Sequence, residues 1–377
     1  MGFADFVSDA TARLLGGIGR SSITVPVMDG PLKPNDILEE ASEILQETGI
    51  DNLVASVDGF LFTSGNRLLR LQEGQRPEPV MEFEAEIMSL AAAPDGGLAI
   101  GLDGGGVLLR APDGTQHRLI EAAAANCPTA MAFSDARTLI VCNGSRNTGS
   151  QDWQRDLLEL GRSGSLLRIN VADGRCETIA RKLAYPSGVS MMPDGSVIVS
   201  EAWRHRLLRL RPGRADPEPV LSDLPAYPGR INRGSGGGYW LCAFAVRSQL
   251  QEFILREHSY RKLMMAEVHA DYWIAPALRS GLSFKEPLQA GGVIRLGIHK
   301  PWAPTRSYGL VMLLDSTFAP VASAHSRAGG RHHGATSVLE SDSGDILIAA
   351  KGAGKLLRIE AATLSTVADR TKLGSAI

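Results

Sequence analysis

Arg230 lies in the stretch Tyr227-Pro228-Gly229-Arg230-Ile231-Asn232, just after a Pro-Gly turn and ahead of the apolar run Tyr239-Trp240-Leu241. A run this apolar belongs in a core, so a guanidinium at its mouth must find acceptors. Arginine stays charged in proteins and presents five N–H donors in a planar fork, which suits a carboxylate or a developing oxyanion. Histidine is the side chain whose ordinary pKa lies nearest neutral pH, and a neutral imidazole can serve as a general base, which makes the adjacent His332 and His333 candidates. Arg230 as oxyanion stabiliser, with His332 or His333 moving the proton, would make a minimal metal-free hydrolytic or lyase site. The plainer reading of the pair is a polar loop with one ring bonded to backbone. The other histidines show no metal-ligand spacing, and Cys127, Cys142, Cys176 and Cys242 form no CxxC pair, as expected of small buried hydrophobes. The chain carries no GxSxG, HExxH or P-loop motif.

Such groups need a scaffold, and here the sequence repeats itself. DGFLFTSGNRLLRL (58–71), DGGLAIGLDGGGVLLR (95–110), DGSVIVSEAWRHRLLRL (194–210) and SGDILIAAKGAGKLLRIE (343–360) share one plan. Each opens on a turn containing Gly, continues as an apolar strand, breaks briefly, and ends in a second strand marked Leu-Leu-Arg. The plan predicts two strands of a β-meander, the first buried on both faces and the second sending its arginine to solvent. The arginines of these marks fall at 70, 110, 168, 209 and 358. A propeller blade takes roughly 40 to 50 residues, so the long last interval holds two blades plus an insertion. The expectation is an all-β, six-bladed propeller with a short N-terminal helix and a partly helical cap insertion. Residues 1–45 would form that helix and a closing segment, and 46–377 the propeller. One insertion, 144–164, carries a short helix at 151–160. The larger one, about 246–305 in blade five, caps the mouth or, on the rival reading, makes a homodimer contact. Trp153, Trp273 and Trp302 lie in the insertions and could line an apolar pocket, although core packing explains them equally.

RSGSLLRINVADGRCETIARKLAYPSGVSMMPDGSVIVSEAWRHRLLRLRPG, followed by LSDLPAYPGRINRGSGGGYWLCAF, resembles the strictosidine synthase-like propellers. These belong to a wider group with senescence-marker-type gluconolactonases and paraoxonases, and the resemblance runs from about residue 45 to 360. It implies a six-bladed propeller that hydrolyses lactones or esters with a calcium ion at the channel mouth. It also allows the reaction of a few plant members, which condense an amine with an aldehyde through a glutamate before the last blade. The implied calcium positions carry Asp51, Asn52 (where relatives have a second acid), Asn143, Ser187 (in place of an Asn) and Arg230 (in place of an Asp-Asn pair). Calcium wants six to eight oxygens, several charged, so the ion is disfavoured and no cofactor is expected. Arg230 would then fill its electrostatic role, with Asp51, Asn52, Asn143, Ser187 and Trp302 around a small-molecule substrate. An arginine turned outward over an empty polar channel is the alternative. Gly334 stands where the condensing enzymes have their glutamate, so that reaction is not supported.

Composition narrows the partners. With 39 basic and 41 acidic residues the net charge is −2, which gives no footprint for nucleic acid or an anionic membrane. No run of 18 apolar residues exists to span a bilayer. The first residues lack a basic segment before a long apolar one, so a cytoplasmic protein is expected. Hydrolysis of a lactone or ester is therefore the first functional expectation, and a non-catalytic propeller binding a small molecule or partner the second.

Overall fold

The computed structural model describes residues 25–57, 59–120, 124–214, 216–287, 294–295, 298–299 and 306–363. The expected N-terminal helix and Trp302 lie outside the described residues.

Largely apolar runs such as Val197–Glu201 and Ile346–Ala350 are buried along their whole length and form the second strand of a blade. In the Leu-Leu-Arg strands that pair with them, Leu68 and Leu69, Leu207 and Leu208, and Leu356 and Leu357 are buried, while Arg70, Arg209 and Arg358 reach the surface layer. Six four-stranded antiparallel sheets result, arranged as a six-bladed β-propeller. Blade one runs from Ile50–Ser56 to Glu78–Glu82, blade two from Ile87–Ala92 to Gln116–Ile120, and blade three from Pro128–Asp135 to Cys176–Leu183. Blade four spans Pro186–Met191 to Glu218–Leu221. Blade five pairs Ala226–Arg233 with Tyr239–Val246, then Gly309–Leu314, then Pro320–Ser326. Blade six contributes Ala335–Glu340, Ile346–Ala350 and Lys355–Ile359. Its outermost strand comes from far upstream: β1, Ser42–Gln46, pairs antiparallel with Lys355–Ile359 and closes the ring.

The core is distributed between blades, where the apolar faces of neighbouring sheets meet. Two excursions rise from the same end of the ring. The blade-three excursion turns through Ser150–Asp152 into helix α1, Trp153–Leu158. The blade-five excursion holds α2, Gln249–Arg256, whose first turn is capped by Ser248 accepting the Gln251 N–H at 3.2 Å, and α3, His258–Glu267. They dock on each other: Gln154 donates to the Pro276 carbonyl at 2.6 Å, the Arg155 guanidinium lies 5.5 Å from the Trp273 ring centre, and Leu158 packs with Ile254 and Met264. Among the described residues no helix is long and apolar enough to cross a membrane.

Candidate functional site

Each inner strand sends one side chain to the next blade, and these bonds circle the channel. Asn52 Nδ2 donates to Ile87 O at 3.4 Å, Ser89 Oγ to Pro128 O at 2.5 Å, Thr129 Oγ1 to Pro186 O at 2.5 Å and Ser187 Oγ to Pro228 O at 2.7 Å. Arg230 then donates to Thr336 O at 3.0 Å, and Thr336 Oγ1 to Asp51 Oδ1 at 2.7 Å, which returns the circle to blade one. Arg230 occupies the place that a hydroxyl holds in blades two to four. Its reach is longer, because Nη1 also meets Asp51 Oδ1 at 2.7 Å and Nη2 donates to Met88 O at 2.7 Å. One guanidinium thus joins blade five to blades one, two and six.

Lys351, at the end of the buried second strand of blade six, extends this centre. Its Nζ lies 3.0 Å from Glu86 Oε1 and 3.5 Å from Asp51 Oδ2. Asp51 is only 4% exposed. Burial alone would raise its pKa, but the charges of Arg230 and Lys351 and hydrogen bonds from Thr336 and Asn52 hold it below the usual carboxylate range. Burial would likewise lower the Lys351 pKa, and the Asp51 and Glu86 carboxylates outweigh it and raise the value. Lys351 is therefore an ammonium at neutral pH, able to face an oxyanion and unsuited to attack as a free amine. Asp51, Glu86, Arg230 and Lys351 together carry no net charge.

These four groups line a cavity of about 170 Å³ at the channel mouth. Its apolar lining comes from Trp153 of α1, Tyr185 between blades three and four, Phe244 of blade five, Met88 and, from the cap, Leu278. Tyr185 stacks on Trp203 at 4.5 Å between ring centres, and its φ of 57° is a left-handed conformation that costs a bulky residue about 1–3 kcal/mol. The hairpin of blade four holds it there, since Ala202 N–H donates to Tyr185 O at 3.1 Å and Glu201 accepts the Ala184 N–H at 2.7 Å. On the other side of Arg230 a second cavity of about 320 Å³ continues down the channel, lined by Asn52, Asn232 and Ser337 among apolar inner-strand residues. The guanidinium stands between the two.

The structure brings Arg230, Asp51 and Ser187 to the mouth cavity. Other expectations need correction. Ser187 spends its hydroxyl proton on Pro228 and not on an arginine contact. Asn143 is 0% exposed and braces a turn, accepting Cys127 N–H at 2.8 Å and donating to Ser145 O at 3.1 Å. Asn52, at φ 54°, donates to Thr63 and Ile87 and faces the lower cavity. His332 and His333 do not line the mouth cavity. His332 is buried against the closing strand, with Nδ1 2.8 Å from Leu38 O and Nε2 3.1 Å from Glu43 Oε1. His333 pairs with Ser307 Oγ at 2.7 Å and Arg327 O at 2.8 Å. Both rings are committed to neighbours that staple loops, so neither is placed to move a proton for a substrate at the mouth. Of the insertion tryptophans, Trp153 lines the cavity and Trp273 packs beneath Arg155. Sequence reasoning missed Lys351, Glu86, Gln151 and Thr336. The recurring Pro-Thr, Pro-Ser and Pro-Gly pairs at 128, 186 and 228 were the available signal for the inner-strand mouths.

Calcium takes six to eight oxygens, several of them charged. Of the implied ligands only Asp51 offers a charged oxygen at the mouth, and it already faces two cations. Among the described residues no three His, Cys, Asp or Glu side chains gather as a metal site would need.

No protein-family model matches the chain. Curated proteins do: adipocyte plasma membrane-associated protein of Danio rerio is 23% identical over 182 residues, 46% of this chain and 43% of that protein. The Mus musculus protein of that name is 23% identical over 254 residues, 59% of this chain and 60% of its own. Strictosidine synthase-like 10 of Arabidopsis thaliana is 24% identical over 112 residues, 29% of this chain and 30% of its own. Strictosidine synthase-like proteins are homologues of this chain. The chain spans less than two thirds of the length of the relatives it matches. Among solved structures, a gluconolactonase from Xanthomonas campestris aligns with TM-score 0.53 at 11% identity, covering 83% of this chain and 86% of its own. A luciferin-regenerating enzyme aligns with TM-score 0.53 at 9% identity, over 86% of this chain and 94% of its own. These likenesses show the shared propeller fold, and the chain's own residues must carry the rest.

Proposed function

We propose that this propeller hydrolyses a small carbonyl compound of the lactone or ester type at the channel mouth, without a metal. The observation that carries the reading is the anchored cation pair at one end of an aromatic cavity, Arg230 and Lys351 held 2.7 and 3.5 Å from Asp51. A carbonyl oxygen that gains charge in the transition state would meet the Lys351 ammonium, whose position is fixed by Asp51 and Glu86 before the reaction begins. The apolar lining would hold the rest of the molecule and exclude water. The gluconolactonase and the luciferin-regenerating enzyme show that this fold accommodates small-molecule enzymes, which is support by analogy of fold. The test is a panel of lactones, alkyl esters and aryl esters, assayed with and without a strong chelator. Turnover that survives chelation and falls about 100- to 1,000-fold in Lys351→Met supports the reading. Turnover abolished by the chelator and restored by calcium overturns it.

A second reading has its own observation. Arg230 spends Nη1 and Nη2 on Asp51, Thr336 and Met88, which suits a structural plug beneath a site that only binds. On that reading the panel gives no turnover, while aromatic ligands still change the fluorescence of Trp153.

A further inference from the structure

We infer that Glu86 is the general base of this site and that Gln151, from the blade-three excursion, is the residue that positions it. The inference rests on the hydrolytic reading above. Hydrolysis needs a group to take a proton from water, and the two histidines are committed elsewhere. Asp51 and Glu86 are the carboxylates on the cavity wall. Asp51 is closed off, because Arg230, Thr336 and the Asn52 N–H all converge on Oδ1 while Lys351 faces Oδ2. Glu86 is different. Its side chain keeps 24% of its surface exposed, and its two oxygens each have one partner: Lys351 Nζ at 3.0 Å on Oε1 and Gln151 Nε2 on Oε2. A carboxylate offers about four lone-pair positions, so room remains for a water.

The surroundings hold this carboxylate as a built feature. Asp103 N–H donates to Glu86 O at 3.0 Å, and Asp103 Oδ1 accepts the Ser150 N–H at 3.3 Å. The turn that carries Gln151 is thereby tied to the segment that carries Glu86. The same turn leads into α1, which the cap braces through Gln154 and Pro276. Cap, turn and base form one mechanical path.

In the step this assigns, Glu86 takes a proton from water as the water oxygen bonds to the carbonyl carbon. The carbonyl electron pair moves onto its oxygen against Lys351. Collapse re-forms the carbonyl, breaks the bond to the leaving oxygen, and that oxygen takes the proton back from Glu86. The products are an acid and an alcohol, or one hydroxy acid from a lactone.

The test uses the full chain with p-nitrophenyl acetate and γ-butyrolactone as probes, and thermal melts on every variant. Glu86→Gln is expected to lower kcat by about 100-fold or more with KM within about two-fold. Gln151→Leu, which loses the donor on Oε2, is expected to lower kcat by about 10-fold with KM within about two-fold and the melting temperature unchanged, and Gln151→Asn to recover part of the rate. A residue that merely held the fold would lower the melting temperature instead and leave kcat of the folded protein in place. Glu86→Asp, which keeps the charge on a shorter arm, should recover part of the rate and guards against a folding defect in the amide variant. Wild-type turnover with full activity in a folded Glu86→Gln overturns this inference and leaves the hydrolytic reading standing. No wild-type turnover of either probe or of the wider panel overturns both.

Discussion

At the residue scale, Arg230 is the centre of the mouth. Its side chain is 17% exposed and that of Asp51 6%, so removing Arg230 leaves the buried Asp51 with Lys351, at 3.5 Å, as its remaining cation. Arg230→Met should destabilise the protein by about 3 kcal/mol, the low end of the range for a broken buried pair, in urea unfolding. Arg230→Lys should also lose stability, since a single ammonium cannot serve acceptors on three other blades. The pH dependence follows from Asp51. Its folded pKa lies below the unfolded value, so its contribution is complete above about pH 4 and drains away as pH falls through the folded value. Lys351 works the other way: its contribution holds below about pH 10 and is lost as pH rises through its raised value. Asp51→Asn should flatten the acid slope, read as unfolding free energy between pH 5 and 2. Part of this centre was legible in the sequence, because a guanidinium at the start of an apolar strand demands a counter-charge. Lys351 was not, since Ala349-Ala350-Lys351-Gly352-Ala353-Gly354 reads as an ordinary turn, and Glu86 reads as one acid in a run of acids. The histidines misled for a related reason. The partners of His332, Leu38 and Glu43, are remote in sequence, and only the closed ring brings them together.

At the element scale, the Leu-Leu-Arg repeat made the blades readable because burying both faces of each second strand imposes the same pattern every time. The excursions were readable as interruptions only, since nothing local says that α1 and the cap lean on each other. Their seating rests on glycine. A methyl on Gly352 would stand 2.0 Å from the Leu278 carbonyl oxygen, and one on Gly334, at φ 68°, 2.7 Å from the same atom. Gly352→Ala should therefore lift Leu278 off blade six and open the cavity. Hydrogen exchange should rise across 249–287 while the second strands of the blades keep their protection. Unchanged exchange in the cap would refute the proposed seating.

At the scale of the whole molecule, six sheets hold one another by inter-blade packing, a circle of side-chain bonds and one strand from the other end of the described chain. The last keeps Lys355–Ile359 from presenting an open edge. Leu45→Pro, opposite Leu356, should break that pairing. The expected outcome is a lower melting temperature and concentration-dependent association by light scattering. A monomer with the wild-type melting point would show that packing alone closes the ring.

The closure also sets a clock on biosynthesis. Ser42 leaves the ribosome long before Arg358, its partner in the ladder. At about 5–20 residues per second the first strand waits roughly 15 to 60 seconds for the last blade. During that interval its backbone donors and acceptors lie open to any other nascent chain, so yield in the cell depends on how well that one segment is shielded until the last blade emerges.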